Sequence, residues 1–170
     1  MRSLVVFESM WGNTEKVARA VAGGLEGGGP VLVLEVSSVV PHDLEGIDLL
    51  VLGGPTHAFS MSRKTTRDDA VNRGAPWTHA EVGMREFLER LPQSDVPVAT
   101  FDTRVAKVKH LPGSAAKKAG KEVRQHHLGR LVATESFWVD DMEGPLLDGE
   151  VDRAAEWGRS LPATVVPAAH

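Results

Sequence analysis

The sequence predicts an α/β protein, a single domain over residues 1–170, with a five-stranded parallel sheet covered by helices on both faces. Three observations carry this reading. Apolar runs and helical patterns alternate from one end of the chain to the other. The run Asp48-Leu49-Leu50-Val51-Leu52-Gly53-Gly54 is apolar on both faces, as a central strand requires. The segments after the first, third and fourth strands depart in composition from plain connectors, and ligands in such sheets bind beyond the strands' carboxyl ends.

Taken in order, Ser3 to Glu8 is the first strand, with Leu4-Val5-Val6-Phe7 as its buried core. The helix after it carries Val17, Ala18, Val21, Ala22 and Leu25 as one apolar stripe and ends at Gly27-Gly28-Gly29-Pro30. Val31 to Val36 is the second strand, and Ser37 to Gly46 leaves room for no more than a turn of helix. After the third strand, Pro55 to Thr78 is a long polar segment, with 62–78 expected as a loop insertion. A helix is expected over Glu81 to Leu91, then a strand over Val96 to Phe101 with Pro97 near its start. A second loop runs from Asp102 to Gly113. Ser114 is expected to cap a helix reaching His127, closed by Gly129, and Leu131 to Phe137 is the fifth strand. The last helix begins near Gly149, and the tail 163–170 is expected to fray.

Composition excludes several classes of function. The absence of cysteine removes disulfides, thiol catalysis and thiolate metal sites. The net charge of −4 disfavours nonspecific nucleic-acid binding, and no apolar stretch approaches the ~20 residues of a membrane span. No targeting segment is visible, so a cytoplasmic location is expected. Histidines occur without ligand spacing, so no metal is expected. Charge is unevenly placed: Arg63, Lys64, Arg67 and Arg73 fall between Met61 and Pro76, whereas seven acids between Asp140 and Glu156 face only Arg153.

The most informative motif is Ser9-Met10-Trp11-Gly12-Asn13-Thr14, a short turn between the first strand and the first helix. Hydroxyls and backbone N–H groups gathered at a helix N-terminus form an anion site. The glycines of a dinucleotide fingerprint and the GxxxxGK of a Walker loop are both missing. What remains are Ser9, Asn13 and Thr14, with Gly12 letting the backbone approach closely. An ordinary capped turn is the alternative reading.

This turn resembles the phosphate loop of the flavodoxin family, Ser/Thr-x-Thr-Gly-x-Thr, and departs from it at Trp11. The resemblance continues in Leu52-Gly53-Gly54-Pro55-Thr56 and in Glu143-Gly144-Pro145-Leu146 before Gly149-Glu150, so it spans nearly the whole chain. It implies a flavodoxin-like, doubly wound three-layer α/β/α fold with strand order 2-1-3-4-5 and bound FMN. Carried over by residue, it implies that Ser9, Met10, Gly12, Asn13 and Thr14 hold the phosphate. Pro55, Thr56, His57, Ala58 and Phe59 would line the inner face of the flavin ring, and Phe101, Asp102, Thr103 and Arg104 its pyrimidine edge. Many flavodoxins stack a tyrosine on the outer face, and this chain has none. Phe59, Trp77, Trp11 or an aliphatic group such as Val105 are the candidates to replace it.

Three functions follow from the resemblance. The first is an electron carrier moving between redox partner proteins, a reductase and an acceptor. The second is an FMN-dependent NAD(P)H:quinone-type reductase, with the long second loop building the substrate site. The third is a flavin-free binding module. Arg104 near the pyrimidine edge would stabilise the reduced ring, or else pair with Asp102. His57 would couple potential to protons, or serve as a loop hydrogen-bonder. The basic segment Ser60 to Pro76 would steer an acidic partner or cover the flavin.

Overall fold

A computed structural model describes residues 1–77 and 79–165. Among them, β1 (Ser3–Phe7), β2 (Val31–Glu35), β3 (Leu49–His57), β5 (Pro97–Val105) and β6 (Arg130–Val139) form a parallel sheet in the order β2-β1-β3-β5-β6. The two-residue strand β4 (Ser60–Met61) returns antiparallel along the end of β3. Without β4 the path is the expected 2-1-3-4-5, and the chain is an α/β fold of the flavodoxin-like class.

Alternation along the strands assigns each face its helices. Leu4, Val6, Leu50, Leu52 and Val98 point to one side, where α3 (Met84–Arg90) and α4 (Ala115–Gln125) cover them. Val5, Phe7, Leu49, Val51, Ala99 and Phe101 point to the other, beneath α1 (Asn13–Leu25) and α5 (Glu150–Ser160). Complete burial of such a side chain contributes ~1.5–3 kcal/mol, so the central strands β1 and β3 anchor the molecule. Ser114 caps α4 as expected, its Oγ accepting from the Lys117 N–H at 3.2 Å.

The structure departs from the sequence reading in several places. The segment 62–78 is not a plain loop: α2 (Lys64–Asn72) lies within it, and Thr78 is outside the described residues. β3 continues past Gly54 to His57, pairing in parallel with β5 through Pro55 and antiparallel with β4 at Thr56 and His57, and β5 runs past Phe101 to Val105 along its parallel partner β6. The helix expected from Glu81 begins only at Met84, where the Glu86 carboxylate accepts from the Gly83 N–H at 2.9 Å. A short helix, α6 (Pro162–Val165), opens the tail expected to fray, and the remainder, 166–170, lies outside the described residues.

Candidate cofactor site

Beyond the carboxyl ends of β1, β3 and β5 the chain encloses a cavity of about 390 Å³. Its first wall is the turn from β1 into α1. Gly12 sits there with φ 90°, a left-handed conformation that glycine adopts without the strain a side chain brings. It is the N-cap of α1 and places no side chain over the helix end, so the first-turn N–H groups keep their anion-binding capacity. Three hydrogen bonds fix the turn: Gly12 N–H to Ser9 Oγ at 3.1 Å, Asn13 Nδ2 to the Glu143 carbonyl at 3.1 Å, and the Thr14 and Thr103 hydroxyls at 2.8 Å. Ser9, Met10, Trp11, Asn13 and Thr14 line the cavity, whereas Gly12 shapes the turn without lining it.

The second wall is the end of β3, with Pro55, Thr56, His57, Ala58 and Phe59 all lining the cavity. Ala58 and Phe59 form the two-residue turn into β4 with φ 45° and 65°. Both angles are positive, the geometry that matches strand twist in a tight hairpin but that Asn-Gly normally supplies. Each such residue costs about 1–2 kcal/mol, and the outcome is that Phe59 stands 53% exposed at the cavity mouth. Burial pushes the His57 imidazole below its ordinary pKa, and the nearby Arg67 charge adds to the shift, so the ring is neutral at neutral pH.

Thr103, Arg104 and Val105 of β5 form the third wall. The Arg104 guanidinium lies 5.3 Å from the centroid of the Trp138 ring and donates to the Leu111 carbonyl at 3.2 Å. It does not pair with Asp102. That carboxylate is buried and turned toward α4, where Oδ2 accepts from Thr56 Oγ1 at 2.9 Å, from Ala116 N–H at 3.0 Å and from the Ser114 hydroxyl. Phe101 is also absent from the cavity: strand alternation turns it into the core beneath Gly53, edge-on to Phe137 and Trp157. A Cβ on Gly53 would stand 1.9 Å from the Phe101 ring. Neither the Phe101 nor the Asp102 side chain, both expected at the ligand's edge, therefore lines the cavity. Asp102 acts at one remove, by holding Thr56. Trp77 likewise packs with Met10, Ala70 and Ala75 away from this cavity, which leaves Trp11 and Phe59 as its aromatic lining among the described residues.

The fourth wall is α2, unforeseen in the sequence. Thr66, Asp69, Ala70 and Arg73 recur at helical spacing, so one face of the helix lines the cavity. A buried polar cluster holds α2 in place. Arg67 is fully buried, donating to the Ala80 carbonyl at 2.7 Å, Ser62 Oγ at 2.8 Å and Glu86 Oε1 at 2.9 Å. Ser62 in turn donates to Glu8, which follows β1 directly and also accepts from Met84 N–H at 2.8 Å. Burial pushes the Glu8 carboxyl up, against the hydrogen bonds of Ser62 and Met84 and the Arg67 charge. Burial acts the same way on Glu86, but there the hydrogen bonds from Arg67 and from backbone N–H groups prevail and hold it below the usual range.

No family model and no curated protein sequence matches this chain. Solved structures do. An archaeal flavodoxin superposes with TM-score 0.65 at 18% identity over 97% of this chain and 99% of its own. Flavodoxin 2 from Bacillus cereus gives 0.67 at 14% identity over 96% and 99%. A WrbA-like flavodoxin from Agrobacterium tumefaciens gives 0.59 at 16% identity, covering 96% of each chain. The fold is that of the flavodoxins.

The cavity's fourth wall is polar, and the chain has no tyrosine to place in it. The basic segment also loses part of its expected reach. Arg67 is internal, and Lys64 is paired with Asp68 at 2.8 Å and Glu81 at 3.4 Å. Arg63 and Arg73 are its cations without an ion pair among the described residues. Among those residues no helix is long and apolar enough to cross a membrane.

Proposed function

We propose that this protein binds FMN and acts as an electron carrier between a reductase and an acceptor protein. The observation that carries this reading is the open N-terminus of α1, set in one cavity with Ser9, Asn13 and Thr14 and with the walls from β3 and β5. A phosphate monoester suits that end, because the hydroxyl, amide and N–H groups all donate to anionic oxygens. A flat ring suits the other, between Pro55–Phe59 and Thr103–Val105. The cavity's volume of about 390 Å³ lies within the range of small-ligand sites.

FMN, when bound, accepts and releases one or two electrons, and the protein's contribution is to hold and tune it. Asp102 fixes the Thr56 hydroxyl, which also receives the Ala115 N–H at 2.9 Å, so the inner wall is rigid where the ring would lie. Neutral His57 offers a hydrogen-bonding group without a competing charge. Arg104 brings positive charge to the third wall, favouring a reduced, anionic ring. Phe59 and Met142 at the mouth are exposed apolar groups on which a partner can settle.

One observation favours the second reading, a quinone-type reductase. α2 adds a wall carrying Thr66, Asp69 and Arg73, as a substrate compartment beside a flavin would need. The two readings separate in one assay. The protein is reconstituted with FMN and mixed with NADH or NADPH, with and without a quinone. A carrier shows flavin absorbance but no direct oxidation of the nicotinamide, whereas rapid quinone-dependent oxidation establishes the reductase.

A further inference from the structure

We propose that Arg73, the C-cap residue of helix α2, supplies the positive charge for the ligand's phosphate, which no residue of the phosphate loop provides. The inference rests on the FMN reading above and adds a binding residue to it. The loop Ser9–Thr14 contains neither Lys nor Arg. The fold brings one in from elsewhere.

Contacts on both sides place Arg73 at the phosphate end of the cavity. Ala70, three residues earlier on the same face of α2, is buried in a cluster with Met10, against which Trp11 also packs. Beyond, Arg73 Nη1 reaches the Met142 sulfur at 3.3 Å. Met142 adjoins Glu143, whose carbonyl accepts Asn13 Nδ2 at 3.1 Å. Arg73 therefore spans from α2 to the segment that the phosphate loop itself holds, and it lines the cavity together with Ser9, Asn13 and Thr14.

Among the described residues its charge is uncommitted. Asp69, one turn before it, lines the same cavity, and Asp141 and Glu143 flank Met142 in sequence, yet none makes an ion pair with Arg73 within 4.0 Å. The thioether is a weak, uncharged acceptor, and a guanidinium has five donors to offer. The other cations of α2 are engaged: Arg67 with Glu86, and Lys64 with Asp68 and Glu81. A phosphate monoester carries nearly two negative charges and takes a guanidinium in two parallel hydrogen bonds. Asp69, on the same wall, would repel the dianion, and a cation at Arg73 offsets it.

The test is a fluorescence titration of FMN and of riboflavin, which lacks the phosphate, into the full chain and its Arg73→Gln and Arg73→Glu variants. Arg73 is exposed at the end of α2, and thermal melts of the free proteins verify that the variants stay folded. FMN affinity is expected to fall about 10- to 100-fold in Arg73→Gln and further in Arg73→Glu. Riboflavin affinity is expected to stay within about twofold throughout, and added salt should weaken FMN binding more in the unaltered chain than in Arg73→Gln. Equal loss for both flavins would assign Arg73 a packing role and overturn the inference, as would FMN binding indifferent to both substitutions. If the unaltered chain bound neither flavin, the FMN reading itself would fall.

Discussion

Replacing Arg67 with methionine puts the buried cluster behind the site to the test. The side chain is fully buried and donates three hydrogen bonds of 2.7–2.9 Å, one of them to the Glu86 carboxylate. Methionine fills much of the volume but leaves Glu8 and Glu86 without their cation. Removing one partner of a buried ion pair costs about 3–5 kcal/mol, which for a chain of 170 residues lowers Tm by roughly 6–20 °C. The penalty depends on pH in a fixed direction. Because the folded Glu8 pKa is raised, its burial costs stability as pH rises from the ordinary carboxylate value through the folded one. Because the folded Glu86 pKa is lowered, its pairing contributes above the ordinary value and is lost as pH falls through the folded one. The Glu8 effect makes Arg67→Met most damaging near neutral pH and milder near pH 5, whereas the Glu86 pairing that the substitution removes is still in force at pH 5 and fades only below the ordinary carboxylate range. Urea denaturation followed by circular dichroism at both pH values reads the difference. Adding Glu8→Gln to Arg67→Met should recover part of the loss, since it removes the stranded carboxyl. A loss under about 1 kcal/mol at neutral pH, or a pH-independent loss that the second substitution does not relieve, would refute the reasoning.

Other outcomes follow from single sites. Gly53→Ala drives a methyl into the Phe101 ring at 1.9 Å and should destabilise the protein by about 3 kcal/mol or more, measured by chemical denaturation. Gly12→Ala meets no atom within 4 Å but must hold φ near 90°, so it should cost only about 1–2 kcal/mol. His57 has a lowered folded pKa, so the protein should lose stability as pH falls below the ordinary histidine value of ~6.5; in His57→Gln melts that part of the acid dependence should vanish. In the FMN-loaded protein, Arg104→Met removes a charge held over Trp138, and the potential of the second electron should become more negative by roughly 40 mV, equivalent to ~1 kcal/mol. An unchanged potential would mean that Arg104 serves only its contacts with Trp138 and Leu111.

The sheet and its two helical layers were legible because their signals are local. Val17 to Leu25 repeats with helical period, Leu49 to Leu52 is an unbroken apolar run, and Ser114 stands where a cap belongs. Helix α2 was not legible. Its sequence, Lys64 to Asn72, lacks an apolar stripe, because the face turned inward is filled by the guanidinium of Arg67 instead of a hydrocarbon. Nothing local announces that Arg67 will meet Glu8 and Glu86; that depends on how β1, β4 and α3 come together. Glu8 misleads in the same way, ending an apolar strand as if at the surface while lying fully buried. For the site, the expected residues that end β1 and β3 or begin α1 do line the cavity. Phe101 and Asp102 do not line it, because β5 extends farther than its apolar run, and alternation turns Phe101 into the core and Asp102 toward α4.

The central claim, that the cavity beyond β1, β3 and β5 takes FMN, is tested most directly by equilibrium titration of the purified protein with FMN. The account predicts saturable quenching of flavin fluorescence at one FMN per chain, with flavin absorbance retained after desalting. Asn13→Ala should weaken that binding by about tenfold, the loss of one hydrogen bond to a charged group. Unquenched flavin at micromolar concentrations, with no absorbance retained, would contradict it.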